Sequence, residues 1–155
     1  MDAVIELAHQ NIINGTGGPF AAVIVDRGRD HIVSIGLNLV EYMKTSIAHA
    51  EIVALLLAQA SVNRYRLDDG NYELITLAQP CCMCYGAIFW SGIKKVIYGA
   101  TREDVQRITR FDEGPLPSNW IDELAQRDIS ITSGSYRDKA CQVLSQYVEK
   151  NGLIY

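Results

Sequence analysis

Apolar residues recur along this chain in two rhythms, and the switches between them mark its elements. Val4, Ile5, Leu7, Ala8, Ile12 and Ile13 approximate helical spacing, so the chain is expected to open on an amphipathic helix capped by Asp2. Asn14-Gly15-Thr16-Gly17-Gly18-Pro19 then breaks it. A continuous apolar run, Phe20 to Val25, turns through Arg27-Gly28-Arg29-Asp30 into His31-Ile32-Val33-Ser34-Ile35, which predicts an antiparallel hairpin. A polar loop from Asn38 to Ser46 leads into a second helix, Ala48 to about Ser61. Its stretch Ile52 to Ala58 is apolar nearly all round, so this helix is expected to be buried.

Tyr72 to Ala78 reads as a central strand, Cys81 to Ser91 as a third helix and Lys95 to Tyr98 as another strand. A short helix around Arg102 to Ile108 follows. Pro115 and Pro117 punctuate a loop before a helix from about Asn119 to Gln126. Ile129 to Thr132 is a last strand and Arg137 to Lys150 a last helix. This order predicts an α/β fold: a mixed five-stranded sheet between helical layers, with the later, helix-connected strands parallel. No repeat or linker divides the chain, so residues 1–155 are expected to form a single domain.

Composition narrows the partners. A hydrophobic share of 48%, a charged share of 21% and a net charge of -4 fit a globular protein and leave no basic footprint for nucleic acid. Lys94-Lys95 is the only adjacent basic pair. No apolar stretch approaches the ~20 residues that cross a bilayer, and Met1-Asp2 opens an acidic segment unlike a signal peptide. Three of the four cysteines crowd into Cys81-Cys82-Met83-Cys84, where they cannot brace distant parts of a fold. That clustering points to metal binding in a reducing compartment, and a cytoplasmic protein is expected.

The metal constellation is His49 with Cys81 and Cys84, and Glu51 beside it. One imidazole and two thiolates leave a tetrahedral zinc with an open position, the mark of a catalytic site. Pro80 suits the start of a helix, and Cys81 and Cys84, three apart, share the first turn, whose dipole favours thiolate. Residues two apart diverge by about 200° around a helix. His49 and Glu51 can therefore serve one ion only if both lie at a helix start with the metal beyond its end. Cys82, about 100° from Cys81, reads as packing, and Cys141 as a core thiol. His9 and His31 have no suitable partners.

Gly17-Gly18-Pro19-Phe20-Ala21-Ala22-Val23-Ile24-Val25, Ala48-His49-Ala50-Glu51 and Pro80-Cys81-Cys82-Met83-Cys84 through Gly92 resemble the cytidine-deaminase-like superfamily. Phe111-Asp112-Glu113-Gly114-Pro115 and the final Tyr155 are similar to its bacterial guanine deaminases. The resemblance runs from about Gly17 to the C-terminus. It implies the three-layer α/β/α sandwich of that superfamily, and zinc on His49, Cys81 and Cys84, one ion per subunit. It also implies hydrolysis of guanine to xanthine and ammonia by a zinc-bound hydroxide, with Glu51 as proton shuttle. Asn38, Phe20, Ala50 and Trp90 would bind the base, Glu113 would assist proton delivery, and Tyr155 would close the pocket. The family further implies a homodimer with exchanged C-terminal segments. Gln79 departs from it, standing where a glutamate often precedes the Pro-Cys pair.

Three other readings compete. A related aminated ring could be the substrate: guanosine, a pterin, an aminotriazine, or a base of the cytosine or adenine type. A tRNA-adenosine deaminase is disfavoured by the acidic charge. A zinc-stabilised binding module with a dead site is disfavoured by Glu51, the one member of the set that only catalysis needs.

Overall fold

A computed structural model describes residues 1–155, and its strands alternate their side chains between two helical layers. In β1 (Ala21–Asp26), Ala21, Val23 and Val25 face one layer while Ala22 and Ile24 face the other. β2 (His31–Leu37) and β3 (Tyr72–Ala78) pair antiparallel with β1 on either side, and β4 (Lys95–Ala100) and β5 (Ser130–Thr132) extend the sheet in parallel. The order is β2-β1-β3-β4-β5, the mixed five-stranded sheet expected.

On one face lie α1 (Asp2–Ile13), α5 (Arg102–Thr109) and α7 (Arg137–Glu149), which bury Val4, Ala8, Val105, Ala140 and Leu144 against Val23 and Leu77. On the other lie α3 (Ala50–Ser61), α4 (Cys82–Ser91) and α6 (Trp120–Ala125), which bury Ala54, Ile88 and Leu124 with Ile24, Leu74 and Val96. No helix is long and apolar enough to cross a membrane.

Three expectations need correction. Asp2 is the first helical residue and not the cap: Met1 holds that position, and Asp2 pairs with Lys139 at 3.3 Å. The segment expected as a polar loop contains a one-turn helix, α2 (Val40–Met43), too short to leave a periodic signal. Most importantly, α3 is buried on one side only. Ala54 and Ala58 are fully enclosed, whereas Leu56 and Leu57 are 60% and 51% exposed. Small residues on the inner face let α3 lie close on β2, where a Cβ on Gly36 would stand 2.5 Å from the Ala54 nitrogen. The large residues are left facing outward.

The register brings one end of the sheet together. Ala21 pairs with Leu37, Ala22 with Thr76, and Ala78 with Ala100. Phe20 before β1, Asn38 after β2 and Gln79 after β3 therefore emerge side by side, at the carboxyl ends of the parallel strands where α/β sheets open a crevice.

Candidate active site

Two helix starts meet at this crevice. His49 is the N-cap of α3, extended at φ -67° and ψ 152°, and Cys81 is the N-cap of α4, at φ -69° and ψ 176°. Glu51 sits in the first turn of α3 and Cys84 in the first turn of α4. The extended caps resolve the angular problem posed by His49 and Glu51, since only Glu51 obeys helical geometry.

The three donor atoms lie within 4.8 Å of one another. For a tetrahedral zinc, with Zn–S of about 2.3 Å and Zn–N of about 2.0 Å, nitrogen–sulfur edges of about 3.5 Å are required. His49 Nδ1 stands 3.5 Å from Cys81 Sγ and 3.7 Å from Cys84 Sγ. The donor set thus fits zinc in both spacing and chemistry, and Glu51 stays outside it.

The groups share protons unevenly. Hydrogen bonding from Cys84, and then from His49, outweighs burial and brings Cys81 down to about 4. Cys84 rises well above the ordinary thiol range, through that shared hydrogen bond and burial. Burial pushes the His49 imidazole down, but its contacts with Cys81 and Glu51 win, and its pKa is raised. Glu51 is raised by burial, then by the Cys81 thiolate. Glu113 is pushed up to about 8 by burial, with Cys81 and Glu51 adding to it. A dication among these donors favours two thiolates and reverses the proton sharing between the cysteines.

The surrounding cavity is partly open to solvent and is lined by Phe20, Asn38, His49, Glu51, Cys81, Glu113 and Tyr155, together with Gln79, Phe111 and Asp112. Phe20 and Phe111 meet edge to face, with centroids 5.5 Å apart. The Glu113 loop is fastened to the metal helix. The Cys82 N–H donates to the Glu113 carbonyl at 3.1 Å, and Arg102 Nη2 donates to the Gly114 carbonyl at 2.6 Å. Gln79 Oε1 in turn accepts from the Arg102 N–H at 3.3 Å, so the departing residue supports this loop from below. Cys82 is half-buried against Gly114, away from the donor cluster.

Tyr155 enters the pocket of its own chain. Its hydroxyl donates to Asn38 Oδ1 at 2.7 Å and its ring lies 5.0 Å from Phe111. Asn38 Oδ1 also accepts from the Val40 N–H at 3.3 Å, so it shapes its own turn as well as facing the cavity.

Two of the expected base-binding residues are not brought in. Trp90 is 70% exposed in a surface groove between α3 and α4. Six residues beyond Cys84, it lies about 9 Å farther along the helix and turned by about 240°. Ala50 is fully buried under the sheet and does not line the cavity. Phe111 provides the second aromatic wall instead. It stood in the segment that narrowed the family resemblance, but a lone phenylalanine beside charged residues carries no signal of its own.

Residues 1–100 match the family model described as the cytidine and deoxycytidylate deaminase zinc-binding region. The chain is 41% identical over 100 residues to the guanine deaminase of Bacillus subtilis, covering 64% of this chain and 62% of that one. It therefore spans less than two thirds of that relative's length. It is 34% identical over 135 residues to the tRNA-specific adenosine deaminase of Haemophilus influenzae, covering 85% and 72%. Among solved structures, the guanine deaminase of Nitrosomonas europaea superposes with a TM-score of 0.90 at 42% identity, over 94% of this chain and 81% of that one.

Proposed function

This chain belongs to the deaminase family defined by that zinc-binding region, and from this premise we propose that it hydrolyses guanine to xanthine and ammonia. The observation that carries the reading is one pocket in which Glu51 adjoins a zinc-competent donor set while Asn38, Glu113 and two aromatic rings surround the remaining space. The likeness to guanine deaminases of two organisms supports guanine as the ring.

His49, Cys81 and Cys84 would hold one zinc per subunit, which would supply Lewis-acid activation of water near neutral pH. Phe20 and Phe111, in contact with each other, form one aromatic wall for the flat base. Asn38 offers its amide to the polar edge. Glu51 takes a proton from the attacking water and passes it to a ring nitrogen as C2 becomes tetrahedral. Glu113, whose carboxyl burial raises to about 8, delivers a proton to the departing amine as the C2 hydroxyl gives one up, so ammonia leaves with no net change in protons. Tyr155 closes the pocket and excludes bulk water. Water and guanine are consumed, and xanthine and ammonia are formed.

The outward face of α3 and α4, with Leu56, Leu57 and Trp90 exposed, is assigned to a homodimer contact. Light scattering at twice the chain mass, lost in Leu56→Glu, is expected. Thiolate ligation of zinc suits a reducing compartment, and we place the protein in the cytoplasm.

Steady-state ammonia release on a panel of guanine, guanosine, a pterin, an aminotriazine, cytosine and adenine tests the substrate. Guanine should give the highest kcat/KM. Turnover of another ring with none of guanine overturns the choice of base. The tRNA-adenosine reading draws on the Haemophilus influenzae relative, but the net charge of -4 and Tyr155 in the pocket oppose it. Salt-sensitive tRNA binding with inosine formation would establish it instead.

A further inference from the structure

Helix α1 presents Val4, Ala8 and Ile12 to the core, and between them it buries one polar residue, Asn11, at 1% exposure. Asparagine is a poorer helix former than the apolar residues around it, and an unpaired buried amide is costly. Asn11 is fully paired. Its amide nitrogen donates to the Gly18 carbonyl at 2.8 Å and to the Asn38 carbonyl at 3.0 Å, and its oxygen accepts from the Thr16 hydroxyl at 2.5 Å.

The two carbonyls belong to different segments, one before β1 and one after β2. Gly18 leads into Phe20, whose N–H donates to the Gly18 carbonyl at 2.8 Å and whose carbonyl accepts from the Asn38 N–H at 3.0 Å. Asn38 then faces the cavity and receives Tyr155. The segments approach so closely that a Cβ on Gly18 would stand 2.9 Å from the Tyr155 hydroxyl and 3.3 Å from Asn38 Cγ. Both segments lie just past Ala21 and Leu37, the last paired residues of β1 and β2, where the Phe20–Asn38 backbone bond is the final rung. One side chain from below clamps both.

We infer that Asn11 is a positioning residue for base recognition: it fixes the Gly18–Phe20 segment and Asn38 relative to each other, and through them the aromatic wall and polar edge of the pocket. It touches neither base nor metal and acts through Asn38. This rests on the proposed nucleobase chemistry for its consequence, but the clamp itself has a readout that needs no substrate.

The test uses the zinc-loaded full chain and the variants Asn11→Ser, Thr16→Val, Asn38→Ala and the double variant Asn11→Ser/Asn38→Ala. Hydrogen exchange should quicken in 17–20 and 36–40 together in Asn11→Ser, and to a smaller degree in Thr16→Val, with zinc content unchanged. The dissociation constant for 8-azaguanine and the KM for guanine should rise about tenfold in Asn11→Ser while kcat changes less than threefold. The double variant should bind no more weakly than Asn38→Ala. A lower melting temperature with unchanged exchange, Kd and KM would reduce Asn11 to core packing and overturn the inference, as would additive losses in the double variant. If Asn11→Ser does not fold, Thr16→Val carries the same comparison. If the wild-type chain neither binds 8-azaguanine nor deaminates guanine, the guanine reading fails, and the exchange of the two segments alone decides the clamp.

Discussion

Removal of Leu153–Tyr155 should impair turnover while leaving the melting temperature nearly unchanged, because the tail's contacts and its ordering almost cancel. Tyr155 is 44% exposed, so roughly half of an aromatic side chain is buried, about 1–1.5 kcal/mol. Its contact with Phe111 adds about 0.5–1 kcal/mol. Its bond to Asn38 and that from the Tyr147 hydroxyl to the Leu153 carbonyl, both 2.7 Å, add about 1 kcal/mol each. Half-burial of Leu153 and Ile154 adds about 1 kcal/mol each, for a sum of about 6 kcal/mol, of which ordering the three side chains takes back about 1–2 kcal/mol. Against it, fixing three backbone residues costs about 3–6 kcal/mol. Thermal unfolding should therefore shift by no more than about 4 °C. The pocket loses its cover and Asn38 loses a partner, so kcat/KM for guanine should fall at least tenfold. Tyr155→Phe keeps the ring and removes the hydroxyl, and should lose a smaller factor, about two- to tenfold. Differential scanning calorimetry and steady-state ammonia release measure the two halves. An unaffected rate would reduce the tail to surface packing. A loss of 10 °C would show that it belongs to the fold and not to the site.

Other outcomes follow from the same geometry. Glu51→Gln should retain zinc by metal analysis and the wild-type circular dichroism while kcat falls by about 10²–10⁴; retained turnover would remove Glu51 from the proton path. Cys84→Ser should lose zinc, and turnover with it. Arg137→Ala should destabilise the fold at pH 7 in urea unfolding, because Arg137 grips the buried Asp104 carboxylate through two nitrogens at 2.6 and 2.9 Å. Arg137, with help from Arg107 and Thr101, holds Asp104 well below the usual carboxylate range. This stabilisation is present above the unfolded value of about 3.9 and is lost as pH falls toward the native value. The difference between wild type and Arg137→Ala should accordingly shrink below about pH 4; a gap independent of pH would mean that packing, and not charge, links α5 to α7.

The strands were legible as short apolar runs bounded by turn residues, since β1 and β3 are buried on both faces, and α1 carries a helical period. The ligand set was legible because zinc fixes residue type and spacing at His49, Cys81 and Cys84. What stayed hidden was the wiring between distant segments. Asn11 looks like a gap in the apolar pattern of α1, and its role exists only once Gly18 and Asn38 are folded beside it. Arg102 likewise acquires meaning from a carbonyl twelve residues away. Trp90 enters only through the family resemblance, and within the single chain the turn of α4 leaves it 70% exposed. Continuous hydrophobicity in α3 could not separate burial within the chain from a face left for a partner.

The most direct measurement is a crystal structure of the zinc-loaded Glu51→Gln variant with guanine. Zinc is expected on His49, Cys81 and Cys84, with an intact guanine against the wall that Phe20 and Phe111 form. Its polar edge should be within hydrogen-bond distance of Asn38 and Glu113, and its C2 amino group should be directed at the metal. A base seated elsewhere, or one that presents a different exocyclic group to the zinc, would contradict that arrangement.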